Sequence, residues 1–151
     1  MIFMFILCGC NPAKDIFVSR DGLRADGRVE YGGEIYEMEL ISGLFGTFSA
    51  TVISKPLEGF TYKKTVDSEM LIYKGIDYKG VPPNSVFTLL ADVFEAACKS
   101  SVPLRECGKG EYILEGGSKS GDYTFVFDEN GRPLRLNLPS HKLVTVFHTF
   151  E

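Results

Sequence analysis

The stretch "DYTFVFDENGRPLRLNLPS", residues 122–140, decides how the rest of the chain is read. Tyr123, Phe125 and Phe127 alternate with smaller residues, and Leu134, Leu136 and Leu138 alternate after the break. Successive side chains of a strand point to opposite faces, so each run predicts a strand with one apolar face. Between them stands Asp128-Glu129-Asn130-Gly131. Asn-Gly is among the strongest short hairpin signals, because both residues accept the positive φ that a tight turn demands. An antiparallel pair is expected here.

The same grammar extends in both directions. "RVEYGGEIYEMEL" carries Val29 and Tyr31 on one phase and Tyr36, Met38 and Leu40 on another, with Gly32-Gly33 as the turn between them. In "FGTFSATVIS" Phe48, Ala50 and Val52 alternate with Ser49 and Thr51, as in a half-buried strand. Phe60-Thr61-Tyr62, "EMLIYKGIDYKG" and "GEYILEGG" add further short strands. "KLVTVFHTF" is apolar on both phases and predicts a strand covered on both sides or lying beside a helix.

One segment breaks the pattern. In "PPNSVFTLLADVFEAACKS", Val86, Leu89, Leu90, Val93, Phe94 and Ala97 recur at steps of three and four, which is one stripe of an amphipathic helix. Pro82-Pro83 stops the preceding strand, and Asn84 or Ser85 can accept from the first free amides. The expected fold is mainly β (α+β). It is a strongly curved antiparallel sheet or incomplete barrel of about nine or ten strands, covered by one main helix at about residues 84–100. So many strands are too many for a small flat sheet, and curling is the natural solution.

The 151 residues fit one domain, here residues 22–151. With 44% hydrophobic and 24% charged residues the composition is that of a globular protein. The net charge is -4 and the basic residues are scattered, Lys63-Lys64 being the densest spot and reading as a solvated strand face. Nucleic-acid binders usually carry a basic stripe, so nucleic acid is excluded as an expected partner.

The N-terminal "MIFMFILCGCNPAKD" has a different character. Met1 to Leu7 is wholly apolar and far shorter than the roughly 20 residues of a membrane-spanning helix, but it matches the apolar core of a secretory leader. Leu7-Cys8-Gly9-Cys10 resembles the bacterial lipobox. That resemblance implies that residues 1–9 are a leader remnant, that Cys10 receives a lipid on its sulfur and becomes the new N-terminus, and that residues 10–21 are a tether. No Lys or Arg precedes Lys14, so a start upstream of Met1 is expected. Two other readings stand beside this one: a C-x-C metal pair, and an apolar first strand of a cytosolic protein. The other cysteines and histidines, at 98, 107, 141 and 148, have no standard zinc spacing, and no metal is expected. Outside the cytoplasm Cys98 and Cys107 would be either a disulfide or two separate buried thiols.

The leader, the early long hairpins, "TVISKPLEGFTY", the single helix and the closing "PLRLNLPSHKLVTVFHTF" together look like small bacterial lipoproteins of the LolA/LppX-like superfold. The resemblance runs over most of residues 22–150 and lies in strand order and patterning. It implies an incomplete barrel lidded by helix, commonly holding an acyl chain in its concavity, on a lipoprotein anchored to the cell membrane outside the cytoplasm. Larger carriers of that family have more helices, and no arginine latch is identifiable here.

Catalysis is not expected. There is no G-x-S-x-G, "EGGSKSGDY" reads as a flexible turn loop, and "DENG" lacks the spacing of a calcium loop. His141 is expected at a hairpin tip, and His148 as a packed or half-exposed strand residue rather than a base. Glu37 and Glu39 read as a solvated face. No cofactor is implied. Two functions remain: a lipid-anchored binding module whose pocket is lined by Phe48, Val52, Phe94, Phe125 and Leu136, or an envelope scaffold or sensor in which the same residues are plain core. Apolar strand faces are identical in sequence around a pocket and around a core.

Overall fold

The computed structural model describes residues 23–43, 46–108 and 110–150. Cys10, the leader at 1–9 and the tether at 10–21 lie outside the described residues. In chain order the elements are β1 (Leu23–Tyr31), β2 (Glu34–Ser42), β3 (Phe48–Val52), β4 (Thr61–Lys64), β5 (Glu69–Tyr73) and β6 (Ile76–Lys79). Then follow helix α1 (Val86–Lys99), β7 (Arg105–Gly108), β8 (Glu111–Ser118), β9 (Gly121–Asp128), β10 (Pro133–Leu138), a 3-10 turn (Pro139–His141) and β11 (Leu143–Phe150).

All the strands pair antiparallel in one sheet ordered β6-β5-β4-β3-β2-β1-β11-β10-β9-β8-β7. Two meanders are thus joined at the centre, where the first strand meets the last. The edges β6 and β7 are not paired to each other, so the sheet is an open, curved half-barrel. These two edge strands are consecutive around the helix. Helix α1 is therefore the crossover that carries the chain from one edge of the sheet to the other, over the concave face.

The hairpins form where the sequence places them. Gly32 and Gly33 both have positive φ, the geometry of a primed two-residue turn, and Tyr31 pairs with Glu34 across it. Among the described residues eleven strands stand where nine or ten are expected, because β7, a four-residue exposed edge, has no apolar alternation to announce it. Three local expectations are corrected. "EGGSKSGDY" holds its turn at Lys119-Ser120, but the flanks are strand rather than loop: Gly116, Gly117 and Ser118 belong to β8, paired to Tyr123, Asp122 and Gly121 of β9. Leu134 is only half-buried, because an irregularity between Pro133 and Arg135 shifts the register against β9. β11 lies beside the helix, where Phe147 meets Phe94, but is not covered on both sides: Leu143, Thr145 and Phe147 point inward, while Val146 is 42% exposed.

The helix starts as its sequence suggests. Ser85 is the N-cap, its Oγ accepting from the Thr88 amide at 3.2 Å. All six residues of the expected stripe are buried, and Phe87 and Ala91 widen it. The stripe packs chiefly on β3 and β8. Below it the inward faces of the strands contribute Met38, Leu40, Phe48, Ala50, Val52, Tyr62, Leu114, Phe125, Phe127, Leu136 and Leu138 to one core.

Candidate functional site

The layer between sheet and helix is aromatic. Phe94, at the helix centre, lies 5.2 Å from Phe48 of β3, 5.4 Å from Phe125 of β9 and 6.3 Å from Phe147 of β11, ring to ring. Two helical turns earlier, Phe87 stacks on Phe60 and Tyr62, each at 5.9 Å, and Phe60 continues to Tyr73. Tilted and edge-on ring pairs at such distances add about 0.5–1.5 kcal/mol each beyond their buried area. The rings thus join the helix to both halves of the sheet.

Of the five residues expected to line a pocket, the structure gathers Phe48, Phe94 and Phe125 into one ring cluster and places Val52 and Leu136 in the same core. Their exposures run from 0 to 4%, so in this state they are packed side chains. Phe87, Tyr62 and Phe60 belong to the layer as well. A signal for Phe87 exists in the sequence, since it stands seven residues before Phe94 and so shares its helix face.

One polar atom interrupts this apolar layer. Thr145 of β11 is 0% exposed, and its hydroxyl has no hydrogen-bond partner among the described residues. Buried polar groups are nearly always bonded, because leaving one unpaired costs about 1–3 kcal/mol.

Around the helix the polar contacts act as fasteners. Lys64 of β4 donates to Glu95 at 2.7 Å and lies 3.7 Å from Asp92, and Lys99 also donates to Glu95. Ser120, in the β8–β9 turn, donates to Asp92 at 2.8 Å. Tyr31 of β1 donates to the Asn84 carbonyl, just before the helix, at 2.7 Å. Lys64 is therefore no solvated strand-face lysine: its side chain is only 20% exposed and faces the helix. Nearby, Tyr62 donates to Glu69 at 2.9 Å, and burial together with that bond pushes its hydroxyl pKa above the ordinary value.

The hydrogen bonds from Lys64 and Lys99 pull the Glu95 carboxyl down to about 2, against the opposing effect of burial. In the unfolded chain that carboxyl takes up its proton near 4.5. The folded state thus binds fewer protons between these values. The stability Glu95 contributes is whole above about pH 4.5 and lost as pH falls toward 2. Glu95→Gln is expected to cost about 1 kcal/mol at neutral pH and to flatten this acid loss, as partly exposed ion pairs are screened. Urea midpoints measured across the acid range check this; identical slopes in both proteins would refute it.

A surface groove of about 550 Å³ opens beside these fasteners, lined by Lys64, Thr65, Ser68, Asn84, Asp92 and Ser120 among others. A second, of about 220 Å³, lies between Ile41, Phe48 and Lys63, and a third, of about 410 Å³, borders Tyr123 and Pro139. Phe48 alone of the five expected lining residues borders one of them.

Cys98 and Cys107 are not bonded to each other in this structure. The Cys98 thiol turns to Ser42 of β2, and burial pushes its pKa up. Cys107 is exposed on the edge strand β7, where its thiol donates to the Glu111 carbonyl at 3.4 Å, so it is not a buried thiol either. His141 sits in the 3-10 turn between β10 and β11, and His148 is half-exposed, 3.7 Å from Glu37. Glu39 is tied to Arg24.

No protein-family model and no curated protein matches the chain. Solved structures do. A protein described as an uncharacterized conserved protein from Thermus thermophilus is 13% identical, with 92% of this chain and 84% of that one covered at a TM-score of 0.54. A LolA superfamily protein from Nitrosomonas europaea is 10% identical, with 93% and 90% covered at a TM-score of 0.48. At these identities the likeness concerns the fold.

Proposed function

We propose that the protein is a non-catalytic lipoprotein of the bacterial cell envelope, anchored outside the cytoplasm through a lipid on Cys10. In this reading it holds an acyl chain between the concave face of its half-barrel and helix α1. The observation that carries it is the aromatic layer under one fastened helix, with the unpaired Thr145 hydroxyl inside it. Hydrophobic ligand sites combine apolar walls with a few polar groups. A packed core has no use for an unpaired hydroxyl, whereas a ligand carboxyl or ester would satisfy it.

Magnitudes permit the exchange. The fasteners are partly exposed pairs worth about 0–1 kcal/mol each. Each buried methylene returns roughly 0.8 kcal/mol, so a chain of about ten outweighs them severalfold before the cost of moving rings is counted. The packed arrangement is then the closed state, and the helix is the element that moves.

The test is palmitate titration of the full chain, after native mass measurement and lipid extraction of protein purified without denaturants. Micromolar uptake is expected. Thr145→Val should raise unfolding stability by about 1 kcal/mol, since it removes the unpaired hydroxyl, and weaken palmitate binding about fivefold or more. The anchor is tested separately: Cys10→Ser should move the protein from the membrane to the aqueous fraction. The second reading is an envelope scaffold or sensor with a permanently packed core, favoured by the near-zero exposure of Val52, Phe94, Phe125 and Leu136. A chain that takes up no palmitate and carries no lipid decides for it.

A further inference from the structure

The two edges of the sheet are not equivalent. At β7 the ladder is irregular between Glu106 and Gly108, and Arg105 is tied to Glu115 at 3.2 Å. Bulged, charge-tied edges resist pairing with another chain. At β6 the ladder is regular over all four residues, which pair from Ile76 with Tyr73 to Lys79 with Met70, and all four are exposed. Ile76 is 57% and Tyr78 47% exposed. Asp77 and Lys79 have neither an ion pair nor a side-chain hydrogen bond among the described residues.

The turn between β5 and β6 determines which backbone groups face outward. Lys74 and Gly75 both have positive φ, so this is a primed two-residue turn, and its flanking pair, Tyr73 and Ile76, exchanges both hydrogen bonds. The alternation of an antiparallel ladder then gives the next bonded pair to Leu71 and Tyr78. Asp77 and Lys79 turn their N–H and C=O groups away from β5, toward open solvent.

We propose that two copies of the chain associate through β6, antiparallel about a two-fold axis, with Asp77 of each copy opposite Lys79 of the other and the two Tyr78 residues facing each other. In this register the outward groups of Asp77 and Lys79 make the bonded pairs. Tyr78 meets its counterpart as the closer, non-bonded pair, which favours side-chain contact. Ile76 and Tyr78 share a face with Tyr73, whose ring meets Phe60 on the concave side, so the contact continues the aromatic layer across the two-fold axis. Both opposite-charge pairs fall on the other face. Sliding by two residues either way places Asp77 against Asp77 or Lys79 against Lys79. The charges on this edge therefore select one register with a second copy, whereas on most edges they serve only to repel.

Sedimentation equilibrium of the full chain at low ionic strength tests the proposal. The wild type should show a reversible monomer–dimer equilibrium that weakens with salt. Asp77→Lys and Lys79→Asp each create two like-charge pairs across the axis and should raise the dissociation constant about tenfold or more, with unfolding midpoints equal to that of the wild type. An equimolar mixture of the two variants should associate again, because lysines at 77 and 79 of one then face aspartates of the other. A monomeric wild type at all concentrations overturns the proposal. So does a single variant that associates like the wild type, or a mixture that stays dissociated.

Discussion

Phe94→Ala is expected to destabilise the fold by about 3–5 kcal/mol, measured as a fall in the urea midpoint at unchanged slope. Phe94 is 1% exposed, and its ring touches three others drawn from three strands. β3 lies on one side of the sheet's centre, and β9 and β11 on the other. Removing the ring therefore uncouples the helix from both halves at once. The void cannot collapse easily, because the neighbouring rings are themselves held in stacked and tilted pairs, and unfilled volume adds to the lost transfer energy. Phe94→Leu, which keeps much of the volume, should cost far less. Benzene should partly restore the alanine variant's stability, since apolar cavities of this kind stay dry and take up apolar probes. A loss below about 1 kcal/mol would mean that the helix is only loosely seated, and the closed state described above would have to be abandoned.

Gly116→Val should cost about 2–3 kcal/mol for a different reason. Gly116 has ordinary backbone angles; space is what it supplies. It stands directly across from Tyr123 in the β8–β9 ladder, and a Cβ there would lie 2.6 Å from the Tyr123 hydroxyl and 2.8 Å from the ring carbon bearing it. Tyr123 is 3% exposed, its hydroxyl is bonded to Ser100 at the helix C-cap, and burial raises its pKa. The ring has nowhere to go without breaking that link to the helix. A double-mutant cycle isolates the effect: in a Tyr123→Ala background Gly116→Val should cost little, so the two changes should be strongly non-additive. Additive costs would show that the strain lies elsewhere.

Much of the architecture was legible because strand and helix periods are local properties. The alternation of Phe48, Ala50 and Val52, the Gly32-Gly33 turn and the stripe from Val86 to Ala97 are each readable within a dozen residues. They failed where the neighbour across the ladder mattered. Leu134 alternates correctly in sequence, but the irregular pairing at Pro133 shifts it out of the core. "KLVTVFHTF" looks apolar on both phases, yet only one face meets the helix. "EGGSKSGDY" has the composition of a loop, but only Lys119-Ser120 is turn, and the flanks pair as strand with Tyr123 packed over Gly116.

The candidate site divides in the same way. Phe48, Val52, Phe94, Phe125 and Leu136 could be named as inward-facing from periodicity alone, because period assigns a face. That Phe94 closes a ring cluster, that Lys64 turns inward to the helix and that the Thr145 hydroxyl has no partner are facts of residues far apart in the chain. What the sequence by itself determined is the set of elements and the apolar side of each, since both follow from backbone geometry and the burial of apolar surface. Only the tertiary structure decided that the helix lies across the sheet on β3 and β8, that Lys64 faces the helix, and that β6 is left open with complementary charges. Each of these depends on which strands become neighbours, and that choice is made by the packing of the whole chain.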